Sequence, residues 1–331
     1  MRAEPDAPFA ARVPGALAGM RVDRAVSILT GVSRSEAARL VAGGRVLVDG
    51  RPAAQRSSSL HEGSELTVAL FAAPVALEPD ASVPFEVVYA DADLVVVDKP
   101  AGVVVHPGAG ARRATLVAGL LARYPDMGDL ADVSDPARPG VVHRLDKGTS
   151  GLLVIARSRR GYLSLAGQMR ARTVGRRYLA LVTGVVPDDR GVIDAPIGRS
   201  ARTPTKMAVI ATGRPARTRY AVINRFERLY GQGGWVTRPS SLLACTLETG
   251  RTHQIRVHAA ALGHPVVGDD RYGTPAARGV LASGRLFLHA GELSIEHPAS
   301  GARMTWRAPL PAELRAVLEG ESSSPSGRLG P

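Results

Sequence analysis

The feature that most limits what this chain can become is the run Leu152-Leu153-Val154-Ile155-Ala156, entered through Thr149-Ser150-Gly151. Five consecutive apolar residues behind a tight turn are too few for an ordinary helix and predict a buried strand. Immediately before that turn stands Val142-His143-Arg144-Leu145-Asp146-Lys147-Gly148, which places one carboxylate, Asp146, among three potential cations, His143, Arg144 and Lys147. A carboxylate on a loop at the mouth of a core strand is held rigidly and still reaches a substrate. Neighbouring positive charge favours its ionised form. Asp146 is therefore expected to act as a nucleophile rather than as a general acid, which needs a raised pKa.

Further strand-length segments surround this one. Residues 86–89 and 94–98 flank an Asp91-Ala92-Asp93 turn, and residues 176–182, 217–226, 242–248, 286–290, 293–295 and 304–306 add more. Helical spacing appears over 115–124 and 162–169 and in an Ala-rich stretch that Gly263 ends. Residues 126–139 read as a polar loop, and 231–240, rich in Gly, Trp and Pro, as a mobile one. Strands outnumber helices and are mostly hairpin-linked, which predicts an α+β domain with a mainly antiparallel mixed sheet over residues 86–318.

A smaller unit precedes it. Apolar residues recur at helical spacing over 22–29. Ser33-Arg34-Ser35-Glu36 is a capping box that opens a second helix, which Gly43-Gly44 close. Residues 45–48 alternate as a strand, Asp49-Gly50 supplies a hairpin turn, residues 51–53 start the return, and 65–68 form a last strand. With Arg21, Arg24, Arg34, Arg39, Arg45, Arg51 and Arg56, this is a small basic α+β module. The expected organisation is a flexible tail over 1–15, the module over 16–70, an Ala/Pro-rich linker over 71–85, the large domain over 86–318 and a disordered tail over 319–331.

Charge narrows the partner. A formal net charge of +12 on 331 residues points to a polyanion, nucleic acid or an anionic membrane. Cys245 is the single cysteine, which excludes an internal disulfide and a thiolate metal cluster. His253 and His258 stand five apart and miss the one-face spacing of a helical zinc site. With no signal peptide and no apolar run of about twenty residues, a soluble cytoplasmic protein is expected.

Two resemblances sharpen this reading. Arg21, Asp23, Ser33-Arg34-Ser35, Leu40, Gly44, Val46, Val48 and Gly50 together resemble the S4 domain, an RNA-binding module. Residues 99–108, 140–151, 177–182, 249–258 and 263–273 resemble, in order, the motifs of the RluA-type pseudouridine synthases. Lys147-Gly148-Thr149 brings the match nearest to the large-subunit rRNA synthase D (RluD) branch. One departure is Ala118, where relatives often carry Asn.

The resemblance implies the pseudouridine synthase fold and isomerisation of uridine to pseudouridine in RNA, with ribosomal RNA or a pre-ribosomal particle as partner. It implies a monomer and no cofactor or metal, since isomerisation needs neither redox change nor a group donor. By the same resemblance Asp146 is the nucleophile, attacking either the uracil ring or C1′ of the ribose. Arg251 pairs with Asp146, and Tyr178 stacks near the flipped uracil and moves a late proton. RNA contacts are expected from Arg144, which fills the place the base vacates, and from His143, Lys147, Arg34, Arg39, Arg45 and Lys206. His143 is also expected to order its loop by hydrogen bonding. Two other classes are weighed. A catalytically silent RNA-binding protein would not need Asp146, Tyr178 and Arg251 together. A glycosidase usually needs a second carboxylate beside the first, and the matched motifs offer none.

Overall fold

A computed structural model of the protein describes residues 8–32, 34–53, 55, 57–69, 77–107, 114–231, 234–274 and 280–319. The chain divides between Ala76 and Leu77 into two compact units.

The first unit holds β1 (Phe9–Arg12), α1 (Val22–Thr30), α2 (Arg34–Ala42), β2 (Val46–Val48), β3 (Arg51–Pro52) and β4 (Glu65–Val68), its sheet ordered β1-β4-β2-β3. Val22, Ala25 and Val26 share one face of α1, as residues three and four apart must. With Ala37, Leu40 and Val41 of α2 they close on Val46, Leu66 and Val68 of the sheet. Asp49 and Gly50 both take positive φ, 51° and 74°, the geometry that suits a two-residue hairpin to strand twist. Residues 1–15 are not all tail. Phe9–Arg12 pair in register with Glu65–Val68, and Val13 is buried behind them. Phe-Ala-Ala-Arg is too short to show a period, so its strand state comes from the open edge of β4. The start of α2 is described from Arg34; Ser33 of the capping box lies outside the described residues.

The second unit follows as β5 (Glu86–Ala90), β6 (Leu94–Lys99), α3 (Leu116–Arg123), β7 (Ser150–Ala156), α4 (Arg159–Ala171), β8 (Gly175–Thr183), β9 (Arg190–Asp194), β10 (Ile197–Arg199), β11 (Met207–Val209), β12 (Arg217–Gly231), β13 (Gly234–Leu247), α5 (Gln254–Ala261), β14 (Leu288–Glu296), β15 (Arg303–Arg307) and α6 (Ala312–Glu319). The main sheet runs β5-β6-β7-β14-β8-β13-β12-β9, with β15 paired to β14, while β10 and β11 form a separate ribbon. Its pairings are antiparallel except β7 with β14. The expected mixed, mainly antiparallel α+β architecture is what forms.

The run that opened the reading is β7, buried along its whole length. Leu153 and Ile155 point into one core cluster with Val97, Leu116 and Tyr178. Leu152, Val154 and Ala156 point into another with Leu165 and Leu293. Alternate residues thus serve two cores, and each large apolar side chain contributes about 1.5–3 kcal/mol on burial. This strand anchors the loop before it.

Four segments differ from expectation. Of the linker, residues 71–76 lie outside the described residues, but 77–85 pack on the large unit: Val83 is buried, Leu77 and Phe85 cover the same core, and the Asp80 amide donates to the Ala118 carbonyl at 3.0 Å. Residues 126–139 include a 3₁₀ segment, Pro125–Asp132, that buries Met127 and Leu130. Residues 231–240 are largely strand, because β12 and β13 run on as one long hairpin to Tyr230 opposite Trp235. Gly231 opposite Gly234 is the last pair described, and Leu229 is fully buried in a cluster with Leu314 and Val317 of α6. Residues 288–290 and 293–295 belong to one bulged strand, β14, while 286 and 287 precede it. Of the tail, 320–331 lie outside the described residues.

Candidate active site

Asp146 stands on the loop that enters β7, and that loop is tied from both sides. The Gly102 amide donates to the Lys147 carbonyl at 2.7 Å, and Arg285 Nη1 donates to the Gly148 carbonyl at 3.0 Å. At Gly151, φ is +113° and any Cβ would collide with the Ala290 backbone, so only glycine lets β7 lie this close to β14. Lys99, fully buried at the end of β6, braces the facing loop by donating to the carbonyls of Pro100 (2.8 Å) and Val103 (2.9 Å). Burial, with the charge of Arg285, pushes its ammonium down to about 7 against the pull of Asp146 and Asp98.

Among the described residues, Asp146 forms its ion pair with none of the three motif cations. His143 is buried, its Nε2 accepting the Val154 amide at 3.2 Å, and burial with the nearby Arg176 charge pushes its pKa down to about 3. It is a neutral brace behind the loop, its ring bonded to β7, and it lines the wall of the cleft. Arg144 is exposed, its Nη1 3.3 Å from Nε2 of His106. Burial and the charges of Arg144 and Arg138 push His106 down to about 4, so the imidazole is neutral at pH 7 and receives the bond. Lys147 is exposed and lines the wider part of the cleft.

The partner of Asp146 is Arg256, not Arg251. Arg256 Nη1 donates to Asp146 Oδ2 at 2.9 Å, and its other edge grips buried Asp269, Nε to Oδ2 at 2.7 Å and Nη2 to Oδ1 at 2.8 Å. Burial opposes the charge on Arg256, but the bonds and charges of Asp269 and Asp146 outweigh it and hold its pKa above the ordinary value. Burial likewise opposes ionisation of Asp269, but Arg256 and the amides of Tyr272 and Arg271 hold its carboxyl below the usual range. Arg251 lines the same cleft with its Nε on the Pro215 carbonyl at 3.0 Å. The physical reason is helix phase. α5 begins at Gln254, and its winding turns Arg256 towards Asp146 while Arg251 stays on the loop before it.

His253, between them, sits at φ +57°, a conformation that non-glycine residues adopt at a cost and mainly at functional sites. Its Nδ1 is 2.7 Å from the Tyr272 hydroxyl, which accepts the Met207 amide at 3.1 Å. The hydroxyl proton is thereby free to go to Nδ1, which leaves the imidazole proton on Nε2. That nitrogen faces Asp146 Oδ1 at 3.8 Å. One carboxylate oxygen is thus bound and the other opens into the cleft.

The cleft measures 250 Å³ where Asp146, Tyr178, Arg251 and Arg144 meet and continues past Lys147 into a wider part of 560 Å³. Tyr178, on β8 beside Cys245 of β13, contributes to its wall, and burial pushes the phenol up, so it is neutral at pH 7. In the part that Tyr178 lines, Asp146 is the one carboxylate among the described residues, which disfavours two-acid glycoside chemistry. Of the other expected RNA contacts, Arg34, Arg39 and Arg45 are exposed in the first unit. Lys206 Nζ is bound to the Arg271 carbonyl at 2.6 Å, tying its loop to the segment that carries Asp269.

The sequence profile of the RNA pseudouridylate synthases matches residues 93–261, across Asp146, Tyr178 and Arg256, and that of the S4 domain matches 20–66. The chain belongs to the RNA pseudouridylate synthase family. Among its relatives, a "Ribosomal large subunit pseudouridine synthase D" of Nitrosomonas europaea is 40% identical, covering 93% of this chain and 86% of that protein. One of the same description from Pseudomonas aeruginosa is 39% identical over 93% of this chain and 94% of its own length. An RNA pseudouridine synthase of Chloroflexus aurantiacus is 46% identical, covering 92% and 91%. Among solved structures, human RNA pseudouridylate synthase domain containing 1 is similar at a TM-score of 0.54 and 31% identity, over 70% of this chain and 86% of that one. The protein is an RNA pseudouridine synthase with an S4 domain at its N-terminal end. Arg256 and Asp269 escaped the sequence reading although both lie inside matched motifs; the available signal was an arginine between Ile255 and Val257, at a position α5 buries.

Proposed function

We propose that this pseudouridine synthase modifies chosen uridines of large-subunit (23S) ribosomal RNA, as a cytoplasmic monomer acting on free RNA or a pre-ribosomal particle, with Asp146 as nucleophile. Two relatives named for that RNA, each about as long as this chain, support the substrate. The observation that carries the chemistry is the buried run Asp146–Arg256–Asp269, which holds one carboxylate oxygen and leaves the other towards the cleft.

The target uridine leaves its stack, at a cost of a few kcal/mol, and Arg144, exposed on the nucleophile loop, fills the gap. Asp146 Oδ1 attacks the uracil ring or C1′ of the ribose and forms a covalent C–O bond there. The N1–C1′ bond breaks, the base turns and C5 bonds to C1′; the bond to Asp146 breaks and its electron pair returns to the carboxylate. C5 then gives up its proton, which Tyr178 relays, and N1 takes one up, so no redox partner or group donor enters the balance.

Pseudouridine mapping in cellular RNA with and without the gene should lose discrete sites in 23S rRNA, and purified protein should restore them on rRNA transcripts. Unchanged 23S sites, with losses confined to tRNA, would overturn the substrate assignment.

A further inference from the structure

One side chain of the cleft is not explained by the chemistry. Arg176 lies on β8 two residues before Tyr178, on the same face, and is only 6% exposed. Burying a guanidinium costs several kcal/mol unless a carboxylate or several acceptors compensate. Among the described residues none does: its Nε is enclosed without an acceptor and no ion pair reaches it. Its neighbours make this worse. His143 is kept neutral partly by the Arg176 charge. The residue before Arg251 is packed so tightly against the guanidinium that a Cβ at Gly250 would lie 2.8 Å from Nη1. Arg138 and Arg144 line the same part of the cleft. Asp146, its one carboxylate, already answers to Arg256.

We propose that Arg176 is a phosphate site that holds one phosphodiester next to the target uridine, with Arg251 on the wall of the same cleft. The missing counter-charge is supplied by the substrate. A planar fork of donors fits phosphate oxygens two at a time. Gly250 allows the loop to close over the fork without a side chain in the way. The Arg176 charge on β8 and the Asp146 carboxylate, clamped by Arg256, set the direction in which the nucleotide enters: phosphate towards Arg176, base between Tyr178 and Asp146. This rests on the reading that the cleft takes up a uridine of an RNA chain.

The test uses the full chain and an RNA fragment on which the wild-type protein forms pseudouridine, made with a neutral methylphosphonate in place of either phosphate flanking the target. For one of the two positions, wild-type affinity should fall about tenfold or more. Arg176→Met should bind the unmodified RNA equally weakly, lose nothing further with the methylphosphonate, and show a salt slope smaller by about 0.7. Its melting temperature should hold or rise, because an uncompensated buried charge has been removed; a structural arginine would instead lower it. Arg176→Lys should keep part of the coupling. Methylphosphonates at both positions that weaken wild type and Arg176→Met alike, or stabilisation by inorganic phosphate alone with no methylphosphonate effect, would overturn the proposal. A wild-type protein that modifies no RNA would instead overturn the reading on which it rests.

Discussion

Arg256 makes a charge count at the residue scale decisive. It is the cation between half-buried Asp146 and fully buried Asp269, so removing it strands both. Arg256→Met should cost about 3–5 kcal/mol of folding stability and abolish pseudouridine formation. Arg251→Met, at a residue whose guanidinium rests on one carbonyl, should leave stability within about 1 kcal/mol and act mainly on RNA affinity. Denaturant melts and initial rates on both variants check this; equal stability losses would return Arg251 to the role first expected of it. The two arginines stand five apart in one motif, and a linear pattern cannot say which one faces a carboxylate more than 100 residues away. Asp146 stood out because it precedes a strong strand signal, and Tyr178 only through the family resemblance. Arg256, Asp269 and Arg176 did not, because each owes its position to an element from elsewhere in the chain.

At the scale of elements, Lys99 and the long hairpin carry the tests. Lys99 titrates near 7 in the folded protein against an ordinary 10.5. Between those values the unfolded chain binds a proton that the folded one does not. This contribution therefore makes stability rise as pH climbs from 7 to 10.5, by a few kcal/mol at most. Denaturation at pH 7 and pH 9.5 should show that rise in the wild type and a flatter response in Lys99→Met; identical slopes would mean that Lys99 stays charged. In the hairpin, Leu229 is fully buried in the cluster that includes α6. Leu229→Ala should cost about 2–4 kcal/mol, measured by equilibrium unfolding, whereas a loop residue would cost almost nothing. Periodicity revealed β2, β4, β6 and β7 because alternate or continuous burial leaves its mark on the sequence. The hairpin ends and β1 left no such mark. Glycine and proline punctuate residues 231–240, and four residues of β1 cannot establish a period, so their strand state depends on partners far along the chain.

At the scale of the whole molecule, the two units divide the labour. Exposed arginines are spread over the first unit, while Asp146, Tyr178, Arg256 and Arg176 all belong to the second. The packing of 77–85 on the second unit moves the useful boundary from residue 86 to Leu77. A truncation beginning at Leu77 should fold, bind its RNA more weakly and show a shallower salt dependence, about 0.7 per lost phosphate contact on single strands. Its turnover on saturating short RNA should change less than its affinity does. Equal affinity and slope would remove the S4 domain from RNA anchoring. The central claim is that the Asp146 carboxylate, held by Arg256, is the group that attacks uridine. Forming the C5–C1′ bond expels the hydrogen on C5, so release of tritium from RNA labelled at that carbon reads the reaction directly. Asp146→Asn keeps the side chain's shape and removes its charge. It should bind the RNA with near wild-type affinity and release no tritium above background; sustained release by the purified variant would contradict the claim.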